Sequence, residues 1–175
     1  MITRAMILDS FKTVRSHTIQ IAQDIPEAQY GHRPAEGAQT ILEIFLDIIR
    51  IPQFMVESAV RPEFIEVTRE TREQVFNSII PVKAEGITTQ AQVVKALEDS
   101  LASIVARVES VDEAFLNTMY TAPDRQEKLR LWVINCAKEQ EMIRRAQLFL
   151  AERQIGITPH TTRRQQAAAA MANKP

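Results

Sequence analysis

Four long segments of the chain carry apolar residues at steps of three and four, and this spacing constrains the fold more than any other feature of the sequence. Residues three and four apart share one face of an α-helix, so each segment predicts a helix with one face to bury. Four such helices can cover one another by packing side by side, which predicts an all-α four-helix bundle. The 175 residues also include only 4 glycines and 6% aromatic residues, and sheet proteins usually have more of both.

Prolines and capping residues predict the limits of the first two helices. The first helix spans the apolar residues from 7 to 25 and ends before Pro26, which cannot continue it. The second begins at Thr40, since Glu43 three residues later completes a capping box. Pro52 lies inside this second segment and should kink or end the helix, because it lacks a backbone N–H.

The third and fourth helices are predicted from similar signals. Thr89 and Gln92 form a second capping box. The fourth helix is expected to begin near Asp124, with Glu127 at its third position, and to end at Gly156. Its predicted core-facing stripe includes Leu129, Val133, Cys136, Gln140, Ile143, Gln147 and Leu150.

The chain between the second and third helices is less regular. Thr71 and Gln74 could cap a short helix that Pro81 terminates. The stretch 58–88 is long enough to be a crossover, so helices 2 and 3 could be parallel neighbours as well as follow an up-and-down order. Residues 1–158 are therefore predicted to form one bundle, followed by a polar, Ala-rich tail at 159–175. We expect this tail to be flexible, a helical arm that docks on a partner being the alternative.

Charge and cysteine content narrow the classes of function. The formal net charge is −1, which does not favour binding to nucleic acid. No apolar run is long enough for a membrane span or a signal peptide, so we expect a soluble, cytoplasmic protein without a membrane partner. The single cysteine, Cys136, excludes an intrachain disulfide and is interpreted as a small buried residue rather than a nucleophile.

Polar residues on predicted apolar stripes are the candidates for a functional site. Gln140, Arg144 and Gln147 share one face of the fourth helix. A buried arginine needs a partner, so either this face lines a cleft or a carboxylate meets Arg144, unless the face is turned to water. Asp47 lies at the edge of the second stripe, and the alternative is an exposed Asp beside Arg50.

The remaining candidates have plainer interpretations. The three histidines, His17, His32 and His160, are scattered and form no pair four residues apart, so we expect each on the surface or in a loop. Trp132 is interpreted as core or interface packing rather than as a binding platform.

Two segments resemble the DinB/YfiT-like family of four-helix bundles. The stretch 33–37 (RPAEG) followed by 40–49 (TILEIFLDII) is similar to the family's RPaxG loop and its helix tvxeixxHia. The stretch 139–159 (EQEMIRRAQLFLAERQIGITP) is similar to HExxHRGQlxxyLrxxGixPP. Helix order and spacing agree from about 5 to 160. Within the second motif Glu141, Arg145, Gln147 and Gly156 keep the family pattern, and Ala146 replaces a glycine.

The resemblance also implies a metal site whose ligands are changed in this chain. In the family, one histidine of the second helix and two of the last bind a divalent metal such as Ni or Zn. The corresponding residues here are Asp47, Gln140 and Arg144. Gln is a poor metal ligand and Arg⁺ cannot be one, so no cofactor is predicted. We expect instead that Asp47 and Arg144 pair across the bundle, with Gln140 beside them and Glu43, Cys136 and Gln147 nearby.

Three hypotheses for function follow from this resemblance. The first is a metal-free DinB-like protein that binds a small molecule, an anion or a protein partner at the altered site. The second is an enzyme of the thiol S-transferase or hydrolase type, in which Asp47 acts as a base or Arg144 as an anion anchor. The third is a structural or regulatory homodimer. The fold alone does not decide among them.

Overall fold

A computed structural model describes residues 3–172 of the chain. Four long helices and several short elements follow one another in the order α1 (Arg4–Asp24), a 3₁₀ turn (Glu27–Gln29), α2 (Ile41–Val60), α3 (Arg72–Ile79), α4 (Gln90–Glu109), α5 (Glu113–Leu116), β1 (Met119–Thr121), β2 (Glu127–Leu129), α6 (Arg130–Gln154) and α7 (His160–Ala172). The predicted all-α class is confirmed, with one small hairpin added. None of the helices in the described part is long and apolar enough to cross a membrane.

The four long helices pack in the order α1–α4–α2–α6 around the bundle, so that α1 and α2 lie diagonally. The side chain of Gln90, at the start of α4, donates to main-chain oxygens at the end of α1, so these helices are antiparallel. The neighbours α2 and α4 run parallel. Ile41 and Val93, near their starts, share one apolar cluster, and Glu57 meets Arg107 near their ends. The segment 61–89 is therefore a crossover, as the sequence allows.

The predicted helix starts at Thr40 and Thr89 are confirmed. Both residues form complete capping boxes, with Glu43 and Gln92 as the reciprocal partners. The short helix α3 also lies where the sequence predicts it. Thr71, however, makes no side-chain cap bond to this helix; its hydroxyl accepts from the Thr68 N–H at 3.0 Å.

Of the two outcomes predicted for Pro52, an end of the helix is wrong, because α2 continues to Val60, and a kink stays a prediction. The segment after Pro52 is largely buried, so its packing offsets the backbone hydrogen bond that proline removes. Gln53 adds polar contacts there. Its Nε2 donates to the carbonyls of Ile49 and Val82 at 2.6 and 3.0 Å, and its Oε1 accepts from the Val82 N–H.

The prediction that the fourth helix begins near Asp124 is also wrong. Strands β1 and β2 form an antiparallel hairpin here, and the helix, α6, begins only at Arg130. Asp124 is a turn residue rather than a helix cap: its carboxylate accepts from the Gln126 N–H at 3.2 Å and pairs with Lys128. The end is as predicted, since Gly156 follows α6 with φ +84°, a conformation that suits glycine.

The buried face of α6 differs from the predicted stripe. The buried residues include Leu131, Val133, Ile134, Ala137, Glu141, Leu148 and Ala151. Val133 is thus buried as predicted. Leu129, however, lies on β2, Cys136 and Gln140 are half-buried, and Gln147 is exposed. Ile143 and Leu150 are 56% and 53% exposed, and Trp132 at 53% is not a core residue. The error has one physical cause: the charged Glu141 belongs to the core-facing stripe, which a pattern of apolar residues alone cannot reveal.

A buried ion pair lies between the two main apolar clusters of the bundle. Arg15 on α1 and Glu141 on α6 have fully buried side chains. The Nε of Arg15 donates to Glu141 at 2.8 Å, and its Nη2 donates to Oε2 of the same carboxylate at 2.8 Å. Its Nη1 donates to the Ser100 hydroxyl on α4, and the Thr18 hydroxyl donates to Glu141 at 2.7 Å. Helices α1, α4 and α6 therefore meet at one layer of buried polar side chains that are hydrogen-bonded to one another.

The tail after Pro159 forms helix α7, from His160 to Ala172. The sequence placed His160 on the surface or in a loop, and this is wrong: only 6% of the residue is exposed, and it contacts His17 on α1. The two residues are far apart in the chain, so no local spacing could reveal the contact. The flexibility of the tail stays a prediction, and part of it, 173–175, lies outside the described residues.

Breaking the Arg15–Glu141 pair should strongly destabilise the bundle. Glu141→Gln leaves a buried guanidinium without its counter-charge, and we expect a loss of about 3–5 kcal/mol in the free energy of unfolding. The measurement is urea denaturation, with the exposed Glu139→Gln as the matched control. The double variant Arg15→Met/Glu141→Leu should recover most of the loss, because it removes both charges. A loss below about 1 kcal/mol in Glu141→Gln would contradict the burial of the pair.

Glu152 predicts a pH dependence of stability. Both oxygens of its buried carboxyl group lack a hydrogen-bond partner among the described residues. Burial, and then the charge of Asp24, raises the pKa of Glu152 from 4.5 to about 7. Between these pH values the folded state keeps a proton that the unfolded state has lost, so the contribution to stability falls as pH rises.

Glu152→Gln removes this contribution. The variant should be more stable than the parent by about 1–2 kcal/mol at pH 8 and nearly equal to it at pH 4. Denaturation at the two pH values measures this, with the exposed Glu109→Gln as control. An equal effect of Glu152→Gln at both pH values would refute the assignment.

Candidate functional site

Asp47, Gln140 and Arg144 come together where α2 faces α6. The Nε and Nη2 of Arg144 both lie 3.3 Å from Asp47 Oδ2. Its Nη1 donates to the Gln140 side-chain oxygen at 3.0 Å and to the Gln140 main-chain oxygen at 3.2 Å. Gln39 Nε2 donates to the same Asp47 oxygen at 3.0 Å. The side chains of Arg144 and Asp47 are 16% and 25% exposed, so this pair is screened by water more than the pair of Arg15 and Glu141.

The loop before α2 holds one side of this site in place. Its main chain bonds back onto the first turn of α2, since Ile41 N–H donates to the carbonyl of His32 at 3.1 Å. Gly37 turns the loop with φ +75°. Glu43 accepts from the Thr40 N–H at 2.7 Å and pairs with Arg33 at 3.3 Å. The Thr40 bonds, followed by the nearby Arg33, hold the pKa of Glu43 below its usual value.

A depression of about 360 Å³ opens on the loop side of Asp47. It is lined by Arg33, Gly37, Ala38, Gln39, Glu43, Leu46, Asp47 and Arg50. The predicted neighbour Glu43 thus shares this depression with Asp47 but bonds to Thr40 and Arg33 rather than to the central pair. The charges in the lining are balanced, with two arginines and two carboxylates. Arg50, the alternative partner suggested by the sequence for Asp47, instead pairs with Glu73.

A second, more apolar groove of about 340 Å³ opens beside Gln140. Its lining includes Phe54, Met55, Ser58, Tyr120, Ala122, Pro123, Asp124, Lys128, Trp132, Val133, Cys136 and Gln140. The Tyr120 and Ser58 hydroxyls lie 3.5 Å apart, and burial raises the pKa of Tyr120. Burial, and then the neighbouring Glu139, raises the pKa of the Cys136 thiol. A raised pKa keeps this thiol protonated at neutral pH, which does not favour a nucleophilic role.

Several features of the site could not be taken from the sequence. The groove depends on Tyr120 and Ala122 of the hairpin region, which was predicted to be helical in part. The pair of Arg15 and Glu141 is also absent from the sequence predictions, although Arg15 lies four residues after Phe11 and three before Thr18, on the buried face of α1. An arginine at such a position is a usable signal, because it requires a buried partner. Gln147 is exposed, and its side chain makes no hydrogen bond within the described part of the chain.

The residues at the three positions do not fit a divalent metal. Asp47 supplies the only carboxylate, and its Oδ2 already accepts from Arg144 and Gln39. The fixed positive charge of Arg144 would repel a cation, and the Gln140 oxygen is a weak ligand. Across residues 3–172, no three His, Cys, Asp or Glu side chains are grouped so that they could hold a metal ion.

Comparison with known proteins identifies related folds. The family model described as the DinB superfamily matches residues 10–148. A DinB-like protein from Bacillus cereus ATCC 10987 superposes with a TM-score of 0.68 at 16% identity, covering 90% of this chain and 95% of the other. A DinB-like protein from Bacillus subtilis superposes with a TM-score of 0.64 at 19% identity, covering 87% and 93%. No curated protein matches this chain in sequence. At these identities the structures support the shared fold alone.

Removing Arg144 should leave Asp47 partly buried without its main partner. Because the pair is partly exposed, we expect Arg144→Ala to lower the free energy of unfolding by about 1–2 kcal/mol, less than a fully buried pair would lose. Arg33→Ala is the matched control, since it removes an ion pair whose side chains are 49% and 47% exposed. Urea denaturation of the two variants decides the matter, and equal losses would show that the Arg144 pair is solvated like that of Arg33.

Proposed function

We propose that this chain, which belongs to the DinB superfamily, binds a small and mainly apolar molecule at the α2–α6 face without using a divalent metal. The observation that carries the proposal is the bonded group of Asp47, Gln140 and Arg144, which stand where the resemblance implies metal ligands. This group lies beside an open apolar groove. Binding is proposed rather than catalysis because each charged member of the group is already paired.

The groove indicates the class of ligand. Phe54, Met55, Trp132 and Val133 provide apolar surface, which favours an aromatic or aliphatic ligand body. Gln140 at one end, with the hydroxyls of Ser58 and Tyr120, offers hydrogen bonds to one polar group. Trp132 is 53% exposed, and covering its ring would remove apolar surface from water. The favoured ligand is therefore apolar with a single neutral polar end.

In this proposal Asp47 and Arg144 have a structural role. The guanidinium holds Gln140 through two hydrogen bonds, one to its side chain and one to its main chain. Gln140 thereby keeps its position at the edge of the groove. Its amide N–H₂ group is not used in these bonds, so it remains able to donate to a ligand.

The single tryptophan provides the test of the groove. Trp132 is the only Trp in the chain, so its fluorescence reports directly on this site. N-phenyl-1-naphthylamine, an apolar probe with one N–H, should quench it saturably while the probe's own emission rises. Cys136→Phe fills the groove and should weaken binding about tenfold or more. Ala102→Phe adds the same ring on the exposed side of α4 and should leave binding unchanged. Equal probe binding by both variants would refute the proposed site.

The absence of a required metal is tested separately. Purified protein is incubated with Ni²⁺ or Zn²⁺, dialysed and subjected to elemental analysis. We expect the metal content to be well below one ion per chain, and the same in Asp47→Asn as in the parent. A stoichiometric ion that is lost in Asp47→Asn would overturn the metal-free proposal.

A homodimer is a second proposal, favoured by a different observation. Met142, Ile143 and Leu150 on α6 are 41%, 56% and 53% exposed, an unusual density of large apolar side chains on one helix. A symmetric contact across this helix would cover them. Sedimentation of the parent and of Ile143→Glu tests it: a dimer that dissociates in the variant supports the contact, and a monomeric parent excludes it.

A further inference from the structure

Two histidines that are distant in the chain meet where α7 packs on α1. His17 Nδ1 and His160 Nε2 lie 2.8 Å apart, and the two rings are stacked with centroids 5.0 Å apart. The ring of Phe149 covers His160 from α6, with centroids 5.7 Å apart. His160 is almost fully buried, whereas His17 is half-buried and lines a surface groove.

The surroundings of His160 indicate which ring donates. Its Nδ1 is buried and has no hydrogen-bond partner among the described residues. A proton on Nδ1 would be a buried, unpaired N–H, and such donors are rare and costly. The proton of neutral His160 is therefore on Nε2, which donates to His17 Nδ1. His17 then carries its own proton on Nε2, and this N–H is not used in the contact between the rings.

The groove beside His17 has a volume of about 550 Å³ and no acidic residue in its lining. It is lined by Ser16, His17, Gln20, His160, Arg163, Arg164 and Ala167. Arg163 pairs with Asp24 at 2.6 Å. The side chain of Arg164 makes no ion pair or hydrogen bond within residues 3–172. The groove therefore holds the Arg164 guanidinium, the Arg163 guanidinium that pairs with Asp24, and the N–H donor of His17.

We propose that this groove binds a small phosphate-bearing anion. Planar guanidinium groups and imidazole N–H donors match the oxygens of a phosphate group, and charge-assisted bonds of this kind are the strong ones. The His17 N–H and the Arg164 guanidinium are the principal donors, with Arg163 as a further donor. A divalent cation is disfavoured at the same two histidines, because Arg145, Arg163 and Arg164 lie close to them. The site is separate from the α2–α6 face and does not depend on the function proposed there.

The surroundings of the two histidines favour neutral His17. The charges that act on the two rings come from all three packed helices: Asp24 on α1, Arg145 on α6, and Arg163 and Arg164 on α7. Burial, and then Arg145 and Arg164, lowers the pKa of His17. A second proton on His17 would also have to enter at Nδ1, which faces the Nε2–H of His160. Neutral His17, donating from its Nε2–H, is therefore the form that binds the anion.

Nuclear magnetic resonance of the three histidine rings tests the proposal with the intact chain. The protein is titrated with pyrophosphate at pH 7, against sodium chloride of equal ionic strength. The ring signals of His17 and His160 should shift saturably with pyrophosphate and not with chloride. His32, whose ring bonds to Gln154 at 3.2 Å outside the groove, is the internal control and should not move.

Two arginine variants separate a specific site from general charge attraction. Arg164→Ala should weaken pyrophosphate binding about tenfold, equal to ~1.4 kcal/mol. Arg69→Ala removes another exposed arginine far along the chain and should have no effect. The His17 and His160 signals of each variant, recorded without pyrophosphate, establish that the groove is still folded.

The proposal is overturned by any of three results. These are no shift of His17 and His160 at pyrophosphate concentrations that saturate ordinary phosphate sites, equal shifts with chloride, or equal weakening in the two variants.

Discussion

The buried pair of Arg15 and Glu141 determines how the rest of the bundle is arranged. Charges without contact to water are tolerated only where every donor and acceptor finds a partner, and here α1, α4 and α6 must approach together to provide them. Apolar packing alone would accept small rotations of each helix, whereas this set of directed bonds does not. The rotation of α6 about its axis follows from that requirement. Once Glu141 faces Arg15, Gln140 and Arg144 on the adjoining face must be directed towards α2.

The separation between the buried pair and the neighbouring residues of α6 explains why the side chains of the α2–α6 face can change while the fold stays the same. The residues at 140 and 144 lie next to the buried layer but are not part of it. Their identity can change without disturbing the bonds of Glu141, provided that the new side chains satisfy one another. Asp47, Gln140 and Arg144 do so, with Gln39 from the preceding loop as the fourth member. A site of this kind can lose one function and keep its fold, because stability and surface chemistry depend on different residues.

Local signals in the sequence were sufficient to predict most of the helices but not the buried polar contacts. Thr40 and Thr89 were predictable as caps because the partners lie three residues away. The resemblance to the family motifs aligns Asp47 and Arg144 with metal-ligand positions of the family, and the side chains of these two residues are in contact in the structure. Glu141 was not recognised as buried, because burial of a charge depends on Arg15, which is 126 positions away. The hairpin at 119–129 and the contact of His17 with His160 could not be predicted for a similar reason. Strand pairing and ring contacts between separate segments leave no periodic pattern in the sequence.

The order of the helices around the bundle has a consequence for how the chain can fold. The first half of the chain contributes α1 and α2, and the second half contributes α4 and α6, yet each of these pairs lies on a diagonal. Every close pair among the four long helices therefore joins one half of the chain to the other. Neither half holds two long helices that pack on each other, and single helices of this length are marginal in water. A chain cut within the crossover would give two fragments that are unstructured alone and become ordered only on meeting each other.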